Sequence, residues 1–119
     1  MIIPSKSSPS LLQFDVTDQV ATITFDSPSN RNALEPAMRD ELAVALQHIP
    51  HDKSIRAVIL TVAGGHFCSG GDLKNIAAAN LDNGGWLGRM QTLHEWVQLL
   101  LTLDRPVIAA VDGAAAGAG

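Results

Sequence analysis

The sequence has little of what would assign a chain of this size to a class at once. Its 119 residues contain one cysteine, Cys68, so no disulfide can form within the chain, and a single thiol fits a reducing compartment. Eight basic and twelve acidic residues are scattered, and no Lys/Arg run provides a nucleic-acid footprint. No apolar run approaches bilayer-spanning length. We expect a cytoplasmic protein without nucleic-acid or membrane partners.

The N-terminus lacks the pattern of a secretory signal, because "MIIPSKSSPS" has no basic start followed by an apolar core. Its serines and prolines predict a disordered leader over residues 1–10. The remaining residues, 11–119, are enough for one domain. Apolar residues make up 46% of the chain and charged residues 17%, a globular balance that argues against disorder as the main state.

The first half of the chain predicts a β-hairpin and a helix. Leu11–Val16 and Val20–Phe25 flank a polar turn, and alternate residues of the second run are apolar. A helix follows from Pro36, which suits a first turn, to Pro50. Its apolar stripe consists of Met38, Leu42, Ala45, Leu46 and Ile49.

The second half predicts two strands separated by a helix. Arg56–Val62 and Arg105–Val111 are nearly continuous apolar runs, which is typical of strands covered on both faces. "LKNIAAA" can form a short helix that "NLDNGG" breaks. A longer helix is predicted from about Trp86 to Leu103, with Trp86, Met90, Leu93, Val97, Leu100 and Leu101 on one side. The order β-β-α-β-α-β indicates an α/β fold.

A glycine-rich segment follows each of these two strands. "GGHFCSGGDL" runs from Gly64 to Leu73, and "GAAAGAG" begins at Gly113. Ligands in open α/β sheets gather beyond the carboxyl ends of strands, and glycine lets backbone N–H groups approach them. Two such N–H groups from separate loops could stabilise one developing oxyanion. The alternative is that the glycines are turns only, whereas neither segment has the spacing of a phosphate-binding loop.

Three segments in this order, "NRNAL", "GGHFCSGGDL" and "RPVIAAVDGAAAGAG", closely resemble the enoyl-CoA hydratase/isomerase (crotonase) family over residues 11–119. The resemblance implies a crotonase-like spiral of ββα units, of which this chain would hold about the first half. It implies an enzyme that binds acyl-CoA thioesters and stabilises an enolate oxyanion with two backbone N–H groups. Coenzyme A would be part of the substrate, with no permanently bound cofactor and no metal. The full-length form would be a trimer or hexamer.

The same resemblance implies roles for individual residues. The oxyanion donors would be the N–H groups of Gly71 and Ala118, supported by Gly117; Ala118 stands where glycine is common but keeps its donor. Arg31 would lie near phosphate, since arginine pairs well with phosphate oxygens. The adenine or pantetheine would lie beside the Ala33–Leu34 backbone. The substrate channel would be lined by Ser69, Gly70, Gly71, Asp72, Leu73 and Lys74.

Several side chains near these loops have simpler interpretations. Cys68 could be a nucleophile, but a small packed apolar group is the more ordinary role of such a residue. His66 is interpreted as a loop-surface histidine, and Asp72 as a cap for the following helix. His94 and Glu95 fit a solvated helix face. No cluster of His, Cys and carboxylates has metal-ligand spacing.

Two hypotheses about function remain open, beside the simpler α/β domain with glycine turns. Family members are about twice as long, and their acid–base carboxylates follow the closing glycine loop. The chain would then be the N-terminal part of an acyl-CoA hydratase or isomerase, with the segment between Ala77 and Trp86 setting acyl length. Alternatively, it is a catalytically inactive fragment that acts only as a CoA-binding or assembly module.

Overall fold

The computed structural model describes residues 11–27, 32–34, 36–68, 70 and 83–116. Within these ranges the elements, in chain order, are β1 (Leu12–Thr17), β2 (Val20–Phe25), α1 (Pro36–His48), β3 (Ala57–Val62), α2 (Asn83–Leu101) and β4 (Val107–Ala109). A single 3-10 turn, Ile49–His51, follows α1. The predicted element order is confirmed. The predicted leader and the segment "LKNIAAA" lie outside the described residues.

The strands form one sheet in the order β1-β2-β3-β4. β1 and β2 are antiparallel and joined by Asp18 and Gln19, which both have positive φ (52° and 68°). Such a two-residue turn matches the right-handed twist of a hairpin. β2, β3 and β4 run parallel, so their carboxyl ends lie at one edge of the sheet. The loops that carry the predicted site begin at this edge.

The core lies between one face of the sheet and the two helices. Ala21, Ile23 and Phe25 of β2 are buried, as their alternation predicts. All five residues of the predicted stripe of α1 and its following turn are buried as well. Packing of this stripe against the sheet, rather than helix propensity alone, stabilises α1.

The prediction that β3 and β4 are covered on both faces is wrong. Val58 and Leu60 are buried, but their neighbours in β3 are half-buried. In β4, Ile108 is 56% exposed, and Val111 just beyond it is 57% exposed. The described helices cover one face, and β4 is the edge strand. An apolar run alone does not tell how many faces of a strand are covered.

Helix α2 begins three residues before the predicted start and ends at Leu101. Gly84 and Gly85 of "NLDNGG" belong to its first turn. Val97 packs against the core as predicted, but Leu101 is 77% exposed. Trp96, which the predicted stripe omitted, is buried. The side chains at 83, 86, 89, 90, 92 and 93, including three of that stripe, lie outside the described ones. No helix in the described residues is long and apolar enough to cross a bilayer.

Candidate functional site

The loop after β2 and the loop after β3 are joined by the side chain of Asn32. Asn32 is fully buried and has a positive φ of 54°. Its Oδ1 accepts a hydrogen bond from the Ser27 N–H (2.7 Å). Its Nδ2 donates to the backbone oxygens of Ala63 (3.1 Å) and His66 (2.7 Å). One carboxamide thereby connects both loops and satisfies three backbone groups, of which the Ser27 N–H is buried.

A backbone bond reinforces the connection between these two loops. The Leu34 N–H donates to the Gly70 oxygen at 2.6 Å. Ala33 and Leu34 are both buried, and so is Gly70. Three of the residues predicted for substrate binding therefore meet at the carboxyl edge of the sheet.

The loop after β3 also pairs with the segment after β4. Cys68 and Ala115 form a parallel β-bridge. The Cys68 N–H donates to the Ala114 oxygen (3.0 Å), and the Ala116 N–H donates to the Cys68 oxygen (2.9 Å). The two glycine-rich segments, which the sequence places far apart, are thus hydrogen-bonded to each other.

Two glycines absorb a change of register between these segments. Val58 pairs with Val107, 49 positions on, whereas Cys68 pairs with Ala115, 47 positions on. The first loop is therefore two residues longer than the second between the paired points. Gly64 and Gly65 have positive φ (92° and 79°), which accommodates the extra length in a reversed turn.

Gly113 is the point of closest approach between the two segments. Its φ is 81°, and a Cβ at this position would overlap the Gly65 carbonyl oxygen. Gly113 is consequently required for two reasons, the left-handed backbone and the contact with the opposite loop. A Cβ at Gly65 would meet no atom within 4 Å, so only its backbone conformation favours glycine.

Cys68 is a packed residue at this junction. Its side chain is buried, and its Sγ accepts a weak hydrogen bond from the Gly70 N–H at 3.4 Å. Burial raises the pKa of the Cys68 thiol. A thiol that holds its proton in this way is a poor nucleophile at neutral pH, so the structural interpretation of Cys68 is supported.

An apolar cavity of about 180 Å³ adjoins Cys68. It is lined by apolar side chains of β2, α1, β3 and α2 together with Leu34 and Phe67. The indole of Trp96 also lines it, and Trp96 Nε1 has no hydrogen-bond acceptor among the residues that the structure describes. The cavity is partly open to solvent, and its volume is similar to that of cavities that hold one benzene ring, about 150 Å³.

The structure describes only part of the predicted site. The proposed donors and their supporting residue, and most predicted substrate contacts, lie outside the described residues: Arg31, Ser69, Gly71, Asp72, Leu73, Lys74, Gly117 and Ala118. His66, His94 and Glu95 are exposed, as predicted. Within the described ranges, no group of three His, Cys, Asp or Glu side chains could hold a metal ion.

Sequence reasoning missed Asn32. Asparagine tolerates the left-handed region better than most residues, and its carboxamide offers donors and an acceptor. Those properties were the available signal, but the partners lie 31 and 34 positions away. Their identity follows only from the fold.

Comparison with known proteins decides the family. The sequence model described as enoyl-CoA hydratase/isomerase matches residues 15–119. The chain belongs to the enoyl-CoA hydratase/isomerase family. The predicted resemblance is confirmed, and the α/β arrangement described above is part of the crotonase fold.

Three similar proteins illustrate the family. A "Probable enoyl-CoA hydratase" of Rhodobacter capsulatus is 40% identical over 108 residues, covering 91% of this chain and 40% of the relative. The 1,2-epoxyphenylacetyl-CoA isomerase of Escherichia coli is 36% identical, covering 84% and 39%. The crystal structure of enoyl-CoA hydratase from Bacillus anthracis has a TM-score of 0.78 and 30% identity, covering 87% and 40%. This family segment thus spans about 40% of the length of the relatives it matches.

Proposed function

We propose that this chain is part of an acyl-CoA-processing enzyme of the hydratase or isomerase type. In this proposal the N–H groups of Gly71 and Ala118 hold the thioester oxygen as it becomes an enolate oxyanion, and Gly117 supports the second donor. Membership of the family supports the enzyme class. The single observation that supports the pair of donors is the bridge between Cys68 and Ala115.

The bridge supports the donors through their position along the chain. Gly71 follows Cys68 by three residues, and Ala118 follows Ala115 by three residues. Because both donors lie the same number of residues beyond the bridge, the two segments can present their N–H groups to a common atom. Rigid donors of this kind need no reorganisation during the reaction, and removing one typically lowers turnover by about 10²–10³-fold.

Recognition of coenzyme A is assigned to the loops around Leu34 and Gly70. Their hydrogen bond brings together two segments that the resemblance places along the substrate channel. Arg31 and Lys74 supply cations for a polyanionic ligand in a chain with a net charge of −4. The same segments include Ala33, Ser69, Asp72 and Leu73 as substrate contacts. No permanently bound cofactor is proposed, and coenzyme A enters as part of the substrate.

Proton transfer needs an acid or base within hydrogen-bond reach of the acyl group. The proposal places that group outside residues 11–119, in the part of the relatives that this chain does not span. It also includes a cytoplasmic trimer or hexamer. The alternative is a CoA-binding or assembly module without turnover.

The test separates ligand binding from turnover. We expect acyl-CoA to raise the melting temperature of the 119-residue chain, because a ligand that binds only the folded state stabilises it. Turnover is measured on the product of the complete reading frame. Binding without turnover there would favour the alternative, and no thermal shift at saturating acyl-CoA would contradict both.

The first donor is tested by Gly71→Pro, with Gly71→Ala as the matched control. Both variants add carbon atoms at position 71, but only proline removes the N–H. The proposal expects turnover of the folded proline variant to fall by about 10²–10³-fold relative to the alanine variant. Equal turnover of the two folded variants would contradict the role of Gly71.

A further inference from the structure

Asn32 holds a turn that has no side chains of its own to fix it. The carbonyls that accept its two hydrogen bonds, those of Ala63 and His66, flank Gly64 and Gly65. Both glycines have positive φ, and a Cβ at Gly65 would touch nothing within 4 Å. A turn of this composition is conformationally free unless other groups restrain it.

The carboxamide of Asn32 uses one acceptor and two donors in this arrangement. An aspartate of the same shape could still accept from the Ser27 N–H. It would, however, direct a second oxygen at two carbonyl oxygens. The three hydrogen bonds therefore require an amide at this position. A side chain of the same size without these donors could not make them.

We infer that Asn32 is a positioning residue that transmits binding of the coenzyme A nucleotide at the loop after β2 to the oxyanion donor on the loop after β3. This inference rests on the proposed function. Asn32 lies in "NRNAL", between Arg31 and the Ala33–Leu34 backbone. Asn32 is hydrogen-bonded to the turn at Gly64 and Gly65, and from this turn the chain continues through Cys68 to Gly71.

The consequence for catalysis is specific. Binding energy from a remote, non-reacting part of a substrate can be used to order the reacting centre, and it then appears in kcat as well as in KM. A substrate that lacks the nucleotide, such as acyl-pantetheine, should therefore have a lower kcat than acyl-CoA. Beside the Leu34–Gly70 bond, Asn32 is the side-chain connection between the two loops, and it is the one to which we assign this difference.

The kinetic test uses Asn32→Gly and Asn32→Asp in the product of the complete reading frame. Glycine keeps the positive φ accessible and removes the hydrogen bonds, whereas aspartate keeps the shape. We expect kcat for acyl-CoA to fall by roughly 10–100-fold, as for a misplaced catalytic group, and the kcat ratio of acyl-CoA to acyl-pantetheine to approach one. A ratio that stays at its original value, with both substrates equally affected or unaffected, would overturn the inference.

The pH dependence of kcat distinguishes a positioning role of Asn32 from a general loss of folding. The pKa of the carboxyl introduced by Asn32→Asp should be raised, because the group is buried against carbonyl oxygens. Its neutral form can donate one hydrogen bond, so kcat of this variant should recover as the pH falls through that raised pKa. The matched control is Gln47→Glu, which makes the same change at an exposed position near the end of α1, outside these loops. A profile of Asn32→Asp that follows the control would count against the inference.

Hydrogen exchange on the 119-residue chain tests the positioning without turnover. In Asn32→Gly we expect faster exchange of the Leu34 and Cys68 amides, while the Ile23 amide in the core exchanges as before. Unchanged exchange at Leu34 and Cys68, or an equal rise at Ile23, would overturn a local positioning role. Failure of the proposed function is a different result: the chain without substitutions would not bind acyl-CoA.

Discussion

The two glycine-rich loops are held in place by different means. In the loop after β3, Phe67, Cys68 and Gly70 are buried. The Asn32 side chain also donates hydrogen bonds to two backbone carbonyls in the turn of this loop. In the segment after β4, residues 111–116 are exposed. In the part of the chain that the structure describes, this segment hydrogen-bonds to Cys68, and its Gly113 closely approaches Gly65. The described part of the first loop is fixed by packing and by Asn32, whereas the described part of the second is held by its bonds to the first.

This difference implies that the position of the second loop depends on the first more than the reverse. A change that moves the first loop should also move the second, because Cys68 supplies both the N–H and the oxygen that pair with residues 114 and 116. A change on the exposed segment should disturb the first loop only where the two touch. Substitutions at these contacts therefore test whether the position of the second loop depends on the first.

The largest effect is expected at the contact between the loops. Gly113→Ala adds a Cβ that overlaps the Gly65 oxygen in a left-handed backbone. Strain of about 1–2 kcal/mol from the backbone and about 1–3 kcal/mol from overpacking should lower the free energy of unfolding by about 2–5 kcal/mol. Urea denaturation of the chain measures this.

Gly65→Ala is the matched control for that substitution. It has nearly the same φ, 79° against 81°, but its Cβ would meet nothing within 4 Å. Only the backbone strain of about 1–2 kcal/mol should remain. If both variants lost the same stability, the two segments would not be in the contact described here.

An intermediate effect is expected at Cys68, the residue that both loops share. Cys68→Ala removes a buried side chain beside the cavity, and Cys68→Ser places a hydroxyl there. We expect losses of about 1–2 kcal/mol for alanine and about 1–3 kcal/mol for serine. Turnover per folded molecule should be kept in both, and its loss in both would restore the nucleophile hypothesis.

Cys68 also predicts a pH dependence with a defined sign. Burial raises the pKa of its thiol in the folded state, so the folded chain holds this proton more tightly than the unfolded chain. Its contribution to stability is complete below the ordinary thiol pKa and declines as the pH rises above it. Cys68→Ala should remove that decline, which thermal melts at increasing pH can measure.

The sequence was sufficient for elements whose apolar pattern is local. The hairpin, α1 and the burial of alternate residues in β2 follow from spacing along a few turns or strands. The burial of Trp96 and the exposure of Leu101 did not follow. Both residues are large and apolar on one helix, and the orientation of α2 against α1 and the sheet decides which is covered.

The candidate site likewise has features that the sequence predicted and features that it did not. Glycine after each strand predicted two loops whose backbone N–H groups could act together on a ligand, and the bridge at Cys68 and Ala115 brings the two segments together. The two-residue shift of register and the three hydrogen bonds of Asn32 required coordinates. Pairings across long stretches of chain depend on the sheet order, which local propensity does not encode.

The smallest effect is expected on the exposed segment away from the loop contact. Val111 is 57% exposed and Val58 is fully buried, so Val111→Thr and Val58→Thr make the same chemical change in opposite surroundings. We expect a change within about 0.5 kcal/mol for Val111→Thr and a loss of about 1–3 kcal/mol for Val58→Thr, which buries a hydroxyl. Denaturant midpoints of the 119-residue chain give both values. A loss at Val111 as large as that at Val58 would mean that the segment after β4 is packed in solution, and that the two loops are held in the same way.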